Sequence, residues 1–507
     1  MTRLIIVLMC MGMFGAVVRS ETFTVSGPAF VDDAALLDGE FANWNFGGGP
    51  LLEAGRMGGI YAEHYAVSVV RFDLRATQIE HVTSAKLRFY KPKDFIQRAE
   101  IPVALYEVTR QSANWQEGTG ICEPPQPDAI TRSTSPAPEL IGGERPLVNA
   151  TAPVDRAQWL EFALPPDLVR RWLAEPQFNG GLLVIVQDPA KEWGHHVYFH
   201  SSEHWDGKGP ELVIEGTPSK PRRHAPIIPP PPSVYALPPE ESLQPWLEKN
   251  GRLARFTKDG AMTAEQARLF QFYDTTVREK LIKERYQVPL VKVLREMDAL
   301  VKKGGDNDAA LREHLRRVRE LLLVWEYIRE TSWYTSGPLA DVLTAKQLGI
   351  LFGRSIFGRM EEAAKEKGEP IWQPVPPDKI DAHVQQALKS TRERLKMTPE
   401  QFAVMEQGIA EAERLENEYL AKFRHDFDAC RRLLDAGDVD EDKMFRIVRD
   451  MHLHHELFLY YQSIFDTPRW SLFIQHAPPT ALAEWIIDTR RGHYERQTGR
   501  KISEEDE

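Results

Sequence analysis

Cysteine is scarce: the chain has three in 507 residues. That excludes a disulfide scaffold, a four-cysteine zinc site and an iron–sulfur cluster held by four cysteines. Long apolar runs are missing too. Beyond residue 20, no stretch approaches the roughly 18 apolar residues that a membrane-spanning helix needs. Positive charge is in the minority, with 63 Lys and Arg against 74 Asp and Glu and a formal net charge of −11. This balance argues against nucleic acid or an anionic membrane as the main partner. There is no G-x-S-x-G, no H-E-x-x-H, no phosphate loop and no cysteine–histidine signature, so the chain reads as non-enzymatic.

What is there begins with an address. Arg3 precedes an apolar run from Leu4 to Val18, and Val18 and Ser20 are small enough for a signal peptidase site. The expected cleavage lies between Ser20 and Glu21, which predicts export to the periplasm or beyond. An uncleaved anchor, or lipidation at Cys10, is the alternative. Cleavage would remove Arg3 and Arg19, move the balance to −13 and leave Cys122 and Cys430, read as buried or free thiols.

Residues 218–239 hold nine prolines in 22 positions. Proline fixes φ and lacks an N–H, so this segment predicts an extended spacer. Before it, short runs such as Val67–Asp73, Ala85–Tyr90, Val103–Val108, Gly181–Val186 and Glu211–Ile214 alternate with turn residues. They predict an antiparallel, jelly-roll-like β-sandwich with one helix at Pro166–Ala174. After the spacer, apolar residues recur at helical spacing, predicting helices over 264–303, 308–330, 340–366, 377–395, 398–435, 440–465 and 479–495. Pro289 is expected to kink or break the first of these. Met262-Thr-Ala-Glu-Gln266 recurs as Met397-Thr-Pro-Glu-Gln401, and each copy is followed by a long helix, a Gly-Asp turn and a second helix. Leu343-Thr-Ala-Lys-Gln347 closes the first unit.

The expected organisation is a leader (1–20), a sandwich (21–217), a spacer (218–242), two helical repeats of antiparallel hairpins (243–370 and 371–500) and an acidic tail (501–507).

Ordered elements carry a resemblance in the first half. They are Asn45-Phe-Gly-Gly48, Arg71-Phe-Asp-Leu74, Ser84–Tyr90, Asn114-Trp115, Trp159-Leu-Glu-Phe162, Asn179-Gly-Gly-Leu182, Phe199–Glu203 and Gly209–Val213. In this order they resemble the DNRLRE domain, a sandwich family related to carbohydrate-binding module family 96. Ser202, where a basic residue is common, and the insert at 120–157 depart from that pattern. The helical half resembles tandem LTxxQ-type periplasmic proteins related to Spy and CpxP. That likeness implies a chaperone-like, stress-sensing or metal-responsive role.

Three groups of residues stand out as candidate chemistry. Trp193, Trp205, His196, His204, Trp44 and Tyr65 could stack on and hydrogen-bond a glycan. His452, His455 and Glu456 share one helix face, and His425 on the preceding helix could join them around zinc or copper. Asp32, Asp33 and Asp38 could supply oxygens to a structural calcium. Trp325, Tyr327, Phe458, Tyr460 and Tyr461 would form either a partner-binding apolar face or plain core. The resulting expectation is an exported modular protein whose sandwich binds carbohydrate or packs at the cell surface and whose helices bind protein partners. The alternatives are a periplasmic metal-responsive or chaperone-like stress protein, and an envelope enzyme with an ancillary sandwich.

Overall fold

The computed structural model describes residues 20–58, 63–94, 97, 99–108, 113–124, 128–134, 145–154, 156–187, 194–219, 236–249, 262–332, 341–368, 371–437, 439–465 and 467–498. The leader up to residue 19, Trp193, most of the proline-rich spacer and the acidic tail lie outside them.

The first half forms two antiparallel sheets. One has the order β1 (Glu21–Ser26), β11 (Glu211–Pro218), β5 (Ile79–Lys91), β8 (Gln158–Leu164). The other runs β10 (His195–His200), β3 (Leu51–Gly58), β4 (Glu63–Phe72), β9 (Leu182–Val186), β6 (Ile101–Glu107), β7 (Val148–Ala152). Strand β2 (Val31–Leu37) also pairs with β4. The period-two pattern sets the faces. Ala85, Leu87 and Phe89 of β5 are buried, while Lys86 and Arg88 point outward to Glu161 and Glu211 on the neighbouring strands. Helix α1 (Pro166–Ala174) has the bounds the sequence predicts and buries Leu168, Val169, Trp172 and Leu173 against the sandwich core.

The second half is helical, as expected. Short α2 (Leu243–Lys249), which the periodicity missed, precedes α3 at residues 264–303. Helix α3 joins α-helical Ala264–Phe272, π-helical Tyr273–Gln287 and α-helical Val288–Lys303. Pro289 does not break it. The proline falls in the first turn of the last segment, where the hydrogen-bond pattern changes anyway. Then come α4 (Asp308–Ser332), α5 at 345–366, α6 (Ile380–Arg394), α7 (Pro399–Ala436), α8 (Glu441–Gln462), α9 (Thr467–His476) and α10 (Pro479–Thr498). No helix among the described residues is long and apolar enough to cross a membrane.

The repeated Thr-x-x-Gln motif has a local cause and a tertiary one. Thr263, Thr344 and Thr398 each cap a helix, with Gln266, Gln347 and Gln401 closing the capping box. Gln266 and Gln347 then face each other and exchange two amide hydrogen bonds of 3.1 Å in the interior. Gln401 stays exposed. Both hairpins turn at a glycine with positive φ: Gly304 (62°) and Gly437 (80°).

The two halves share a core. Leu37, Phe41, Trp44, Phe46 and Cys122 of the first half belong to one buried apolar cluster with Leu315, Leu322, Tyr327, Phe402 and Ile486 of the second. The Phe46 and Tyr327 rings meet at 4.9 Å. Arg319, almost fully buried, reaches Glu40 at 2.7 Å and donates to the Phe465 carbonyl. Arg285 pairs with Glu123, and the Lys93 N–H donates to Asp341 at 2.7 Å. Cys122 and Cys430 are both free and buried, so no bridge joins the halves.

Candidate functional site

The structure disperses the glycan candidates taken from sequence. Trp44 is core, edge-on to Phe41 at 5.7 Å. His196 is fully buried with Nε2 2.9 Å from Asp94. His204 is buried face to face with His200 at 3.4 Å. Trp205 is half-buried against the shared core and a second apolar cluster of the helical half. Tyr65 is half-buried, with its hydroxyl directed at the Val186 carbonyl. None of these rings forms an open stacking platform. The helical aromatics also turn inward: Tyr327, Phe458 and Tyr460 are buried, and Trp325 packs on Tyr286.

The helical histidine group is built differently from its expectation. His452 and His455 do approach Glu456, at 4.0 and 3.6 Å. The carboxylate, however, is taken by Arg329 at 2.9 Å. Burial alone would raise the Glu456 pKa, but Arg329 together with His455 and His452 outweighs it and holds the group well below the usual carboxylate range. Burial also pushes His452 down to about 4. His425 sits on the exposed face of α7 and takes no part, while its neighbour Asp426 binds His454 at 2.6 Å. A guanidinium thus occupies the position a metal would need.

The three aspartates proposed for calcium also part company. Asp38 accepts the Tyr65 N–H at 2.6 Å, and Asp32 pairs with Arg71. Asp33 alone turns inward, where it meets Glu117 and Glu203, with one oxygen of each within 4.8 Å of the others. The Asp33 N–H donates to Glu117 at 2.7 Å, and the Ser202 N–H donates to Asp33 at 2.8 Å. The Asp33 Oδ1 atom is buried without a hydrogen-bond partner among the described residues. Burial, and then mutual repulsion, raise Asp33 and Glu117 well above the usual range. Burial pushes Glu203 up to about 7. Hard carboxylate oxygens in this arrangement suit calcium as well as they suit protons.

The open polar site lies elsewhere on the sandwich. A cleft of about 440 Å³ runs between β4 and the end of α1. Asp32, Arg71, Asp73, Arg75, Asn114 and Gln177 bring polar groups to it, and Trp172 adds an indole. Arg71 is held rigidly: it makes bonds of 2.9 and 2.5 Å to Asp32, donates to the Ala113 carbonyl at 2.8 Å and lies 4.4 Å over the Trp115 ring. Arg75 clasps Asp73, and burial is outweighed by that contact, which lowers the Asp73 pKa. Asn114 and Gln177 are exposed at the rim. The Trp172 N–H is buried and has no hydrogen-bond partner among the described residues. One residue beyond Gln177, Phe178 is 40% exposed, the only aromatic among the exposed large hydrophobic side chains described.

Sequence reasoning missed this cleft. In sequence Asp32 stands only as a calcium candidate, Arg71–Leu74, Asn114 and Asn179 only as elements of the family resemblance, and Phe178 not at all. Pro176 between α1 and the Asn179-Gly-Gly turn was the available signal, since it forces a short 3-10 turn that leaves Phe178 outside the core. Compared with known proteins, the chain matches no family model and no curated protein.

Proposed function

We propose that the chain is an exported, non-catalytic glycan-binding protein, with the β4–α1 cleft as its binding site and the helical half as the scaffold that completes the sandwich. The observation that carries this reading is the unpartnered Trp172 N–H in a polar cleft whose lining residues Gln177 and Asn179 bracket the exposed Phe178 in sequence. A buried donor left unpaired costs about 1–3 kcal/mol, and a ligand hydroxyl can recover that loss. Sugars present an apolar C–H face beside a ring of hydroxyls, so they match an aromatic face set among fixed carboxylate, amide and guanidinium groups. The resemblance to carbohydrate-binding module family 96 supports the same reading. The volume suits one or two sugar rings, which favours a chain end or a short subsite.

The test is a panel of immobilised neutral, uronate-containing and sulfated polysaccharides probed with the full-length chain. Binding to at least one, weakened about tenfold by Trp172→Phe through loss of one hydrogen bond, is the expected result. No binding by chain shown to be folded would overturn the proposal.

A further inference from the structure

A second group of residues lies behind the cleft, on the other face of β2. Asp32 and Asp33 are successive strand residues, so their side chains leave β2 on opposite faces. Asp32 goes to Arg71 in the cleft, and Asp33 is fully buried. There it meets Glu117 and Glu203, with one oxygen of each within 4.8 Å of the others. Three separate segments bring these groups together. Pairing of Asp33 with Val70 of β4 fixes the first. Asn45 clamps the loop at Glu117: its amide donates to the Glu117 carbonyl at 2.7 Å and accepts the Gly120 N–H at 2.8 Å. The turn at Glu203 is held by the Ser201 hydroxyl, which donates to the Gly49 carbonyl at 2.7 Å. Each carboxylate also has one oxygen held in place. The Ser202 N–H donates to Asp33 at 2.8 Å, the Asp33 N–H to Glu117 at 2.7 Å and the Ser202 hydroxyl to Glu203 at 2.9 Å.

We infer that Asp33, Glu117 and Glu203 form a calcium site that ties β2, the loop at Glu117 and the turn after β10 together. Asp33 Oδ1 is the independent sign of a ligand, being buried without a hydrogen-bond partner among the described residues. A buried carboxylate oxygen left unpaired is costly, and a bound cation removes that cost. The charged groups that bear most strongly on the three carboxylates are one another and Asp32, all of them acidic. Arg71, the base beside Asp32, is spent on that residue and on the Ala113 carbonyl. The trio therefore differs from Glu456, whose charge Arg329 already balances. A donor set made only of carboxylate oxygens suits a hard cation. Two oxygens bound to one calcium at about 2.3–2.6 Å can stand up to roughly 5 Å apart, so the three fit a single ion as they are placed. Magnesium holds its ligands at about 2.0–2.1 Å in a strict octahedron and gives up water reluctantly, so it fits a buried carboxylate trio less well. The ion would brace two stretches that line the cleft, since Asp33 follows Asp32 and Glu117 lies three residues after Asn114.

The experiment is a calorimetric calcium titration of full-length chain stripped of metal by a chelator and then desalted, with thermal melts alongside. It is run at about pH 8, where free carboxylates are ionised. A single site with a Kd of about 10–100 µM is expected. Calcium at about a hundredfold excess over that Kd should raise the melting temperature by about 2–3 °C. Asp33→Asn and Glu203→Gln, each shown to be folded by circular dichroism, should lose both responses. In chelator these two variants should melt no lower than wild type, since an amide ends the mutual repulsion. Asp38→Asn, altered at an aspartate outside the trio, should respond as wild type does. Magnesium should bind at least about tenfold more weakly than calcium. Absence of calcium heat and of any melting shift, in wild-type chain shown to be folded, would overturn the inference. So would a response that survives in Asp33→Asn and Glu203→Gln or is lost in Asp38→Asn, variants that melt below wild type in chelator, or magnesium binding as tight as calcium.

Discussion

Two regions of the sandwich surface follow opposite rules. Where sandwich and helices meet, charged groups are mostly paired: buried Asp94 with His196, Glu40 with buried Arg319 and, on the facing helices, Glu456 with Arg329. Aromatic rings there serve as core. At the β4–α1 cleft no described residue of the helical half contributes to the lining, the polar rim reaches solvent, and Phe178, next in sequence to the lining residue Gln177, is exposed. Both regions are rich in aromatic and ionisable residues. What separates them is whether a second layer of chain covers them. A cluster of tryptophans and histidines therefore marks a seam as readily as a binding site.

The largest expected effect breaks the seam. Phe46→Ala removes the ring that meets Tyr327 and should cost about 3–5 kcal/mol. Because the core is shared, far-ultraviolet circular dichroism of helix and tryptophan fluorescence of the sandwich should shift together in one urea transition. Two separated transitions would show that the halves fold independently and would remove the basis of the comparison.

Next in size is a contrast inside the helical half. Gln266→Ala deletes a capping-box member that also pairs with buried Gln347, so it leaves an amide unsatisfied and should cost about 2 kcal/mol. Gln401→Ala deletes only an exposed cap partner and should cost about 0.5 kcal/mol. Equal losses in chemical denaturation would show that the two Thr-x-x-Gln copies are alike in tertiary role.

The acidic cluster predicts a pH dependence of known sign. Burial raises Glu203 to about 7 in the folded chain, and Asp33 and Glu117 also shift upward. The folded state then holds protons that the unfolded state has released. This contribution to stability is full below the ordinary carboxylate pKa and fades as pH rises through about 7. In the presence of a chelator, melting temperature should fall between pH 5.5 and 8.5, and Glu117→Gln should flatten the fall. A melting temperature that climbs over that interval, or a slope unchanged in Glu117→Gln, would count against the cluster.

Much of the fold was legible in the sequence. Period-two runs marked the inner strands, helical spacing marked the long helices, and Thr263 and Thr398 marked helix starts, because each signal is local, whereas Thr344, read as the close of the first unit, caps a helix of its own. Strands such as β2 escaped notice because Val31–Leu37 is buried almost throughout and shows no alternation. Little of the candidate site was legible. Asp33, Glu117 and Glu203 are far apart in sequence and converge only through sheet pairing and a loop. His452 and Glu456 did have the spacing of metal ligands, but the arginine that fills the gap comes from another helix. Phe178 belongs to no periodic pattern, Pro176 being its one sequence signal, and its meaning comes from being left uncovered.

The central claim is that the uncovered cleft, rather than the aromatic-rich seam, is where a glycan binds. The most direct measurement is calorimetric titration of wild-type, Phe178→Ala and Trp205→Phe chains with whichever polysaccharide the panel selects. Phe178→Ala should weaken binding about tenfold, the worth of one stacked ring, and Trp205→Phe should leave it unchanged. Binding that is lost with Trp205→Phe and kept with Phe178→Ala would place the glycan at the seam and contradict the account.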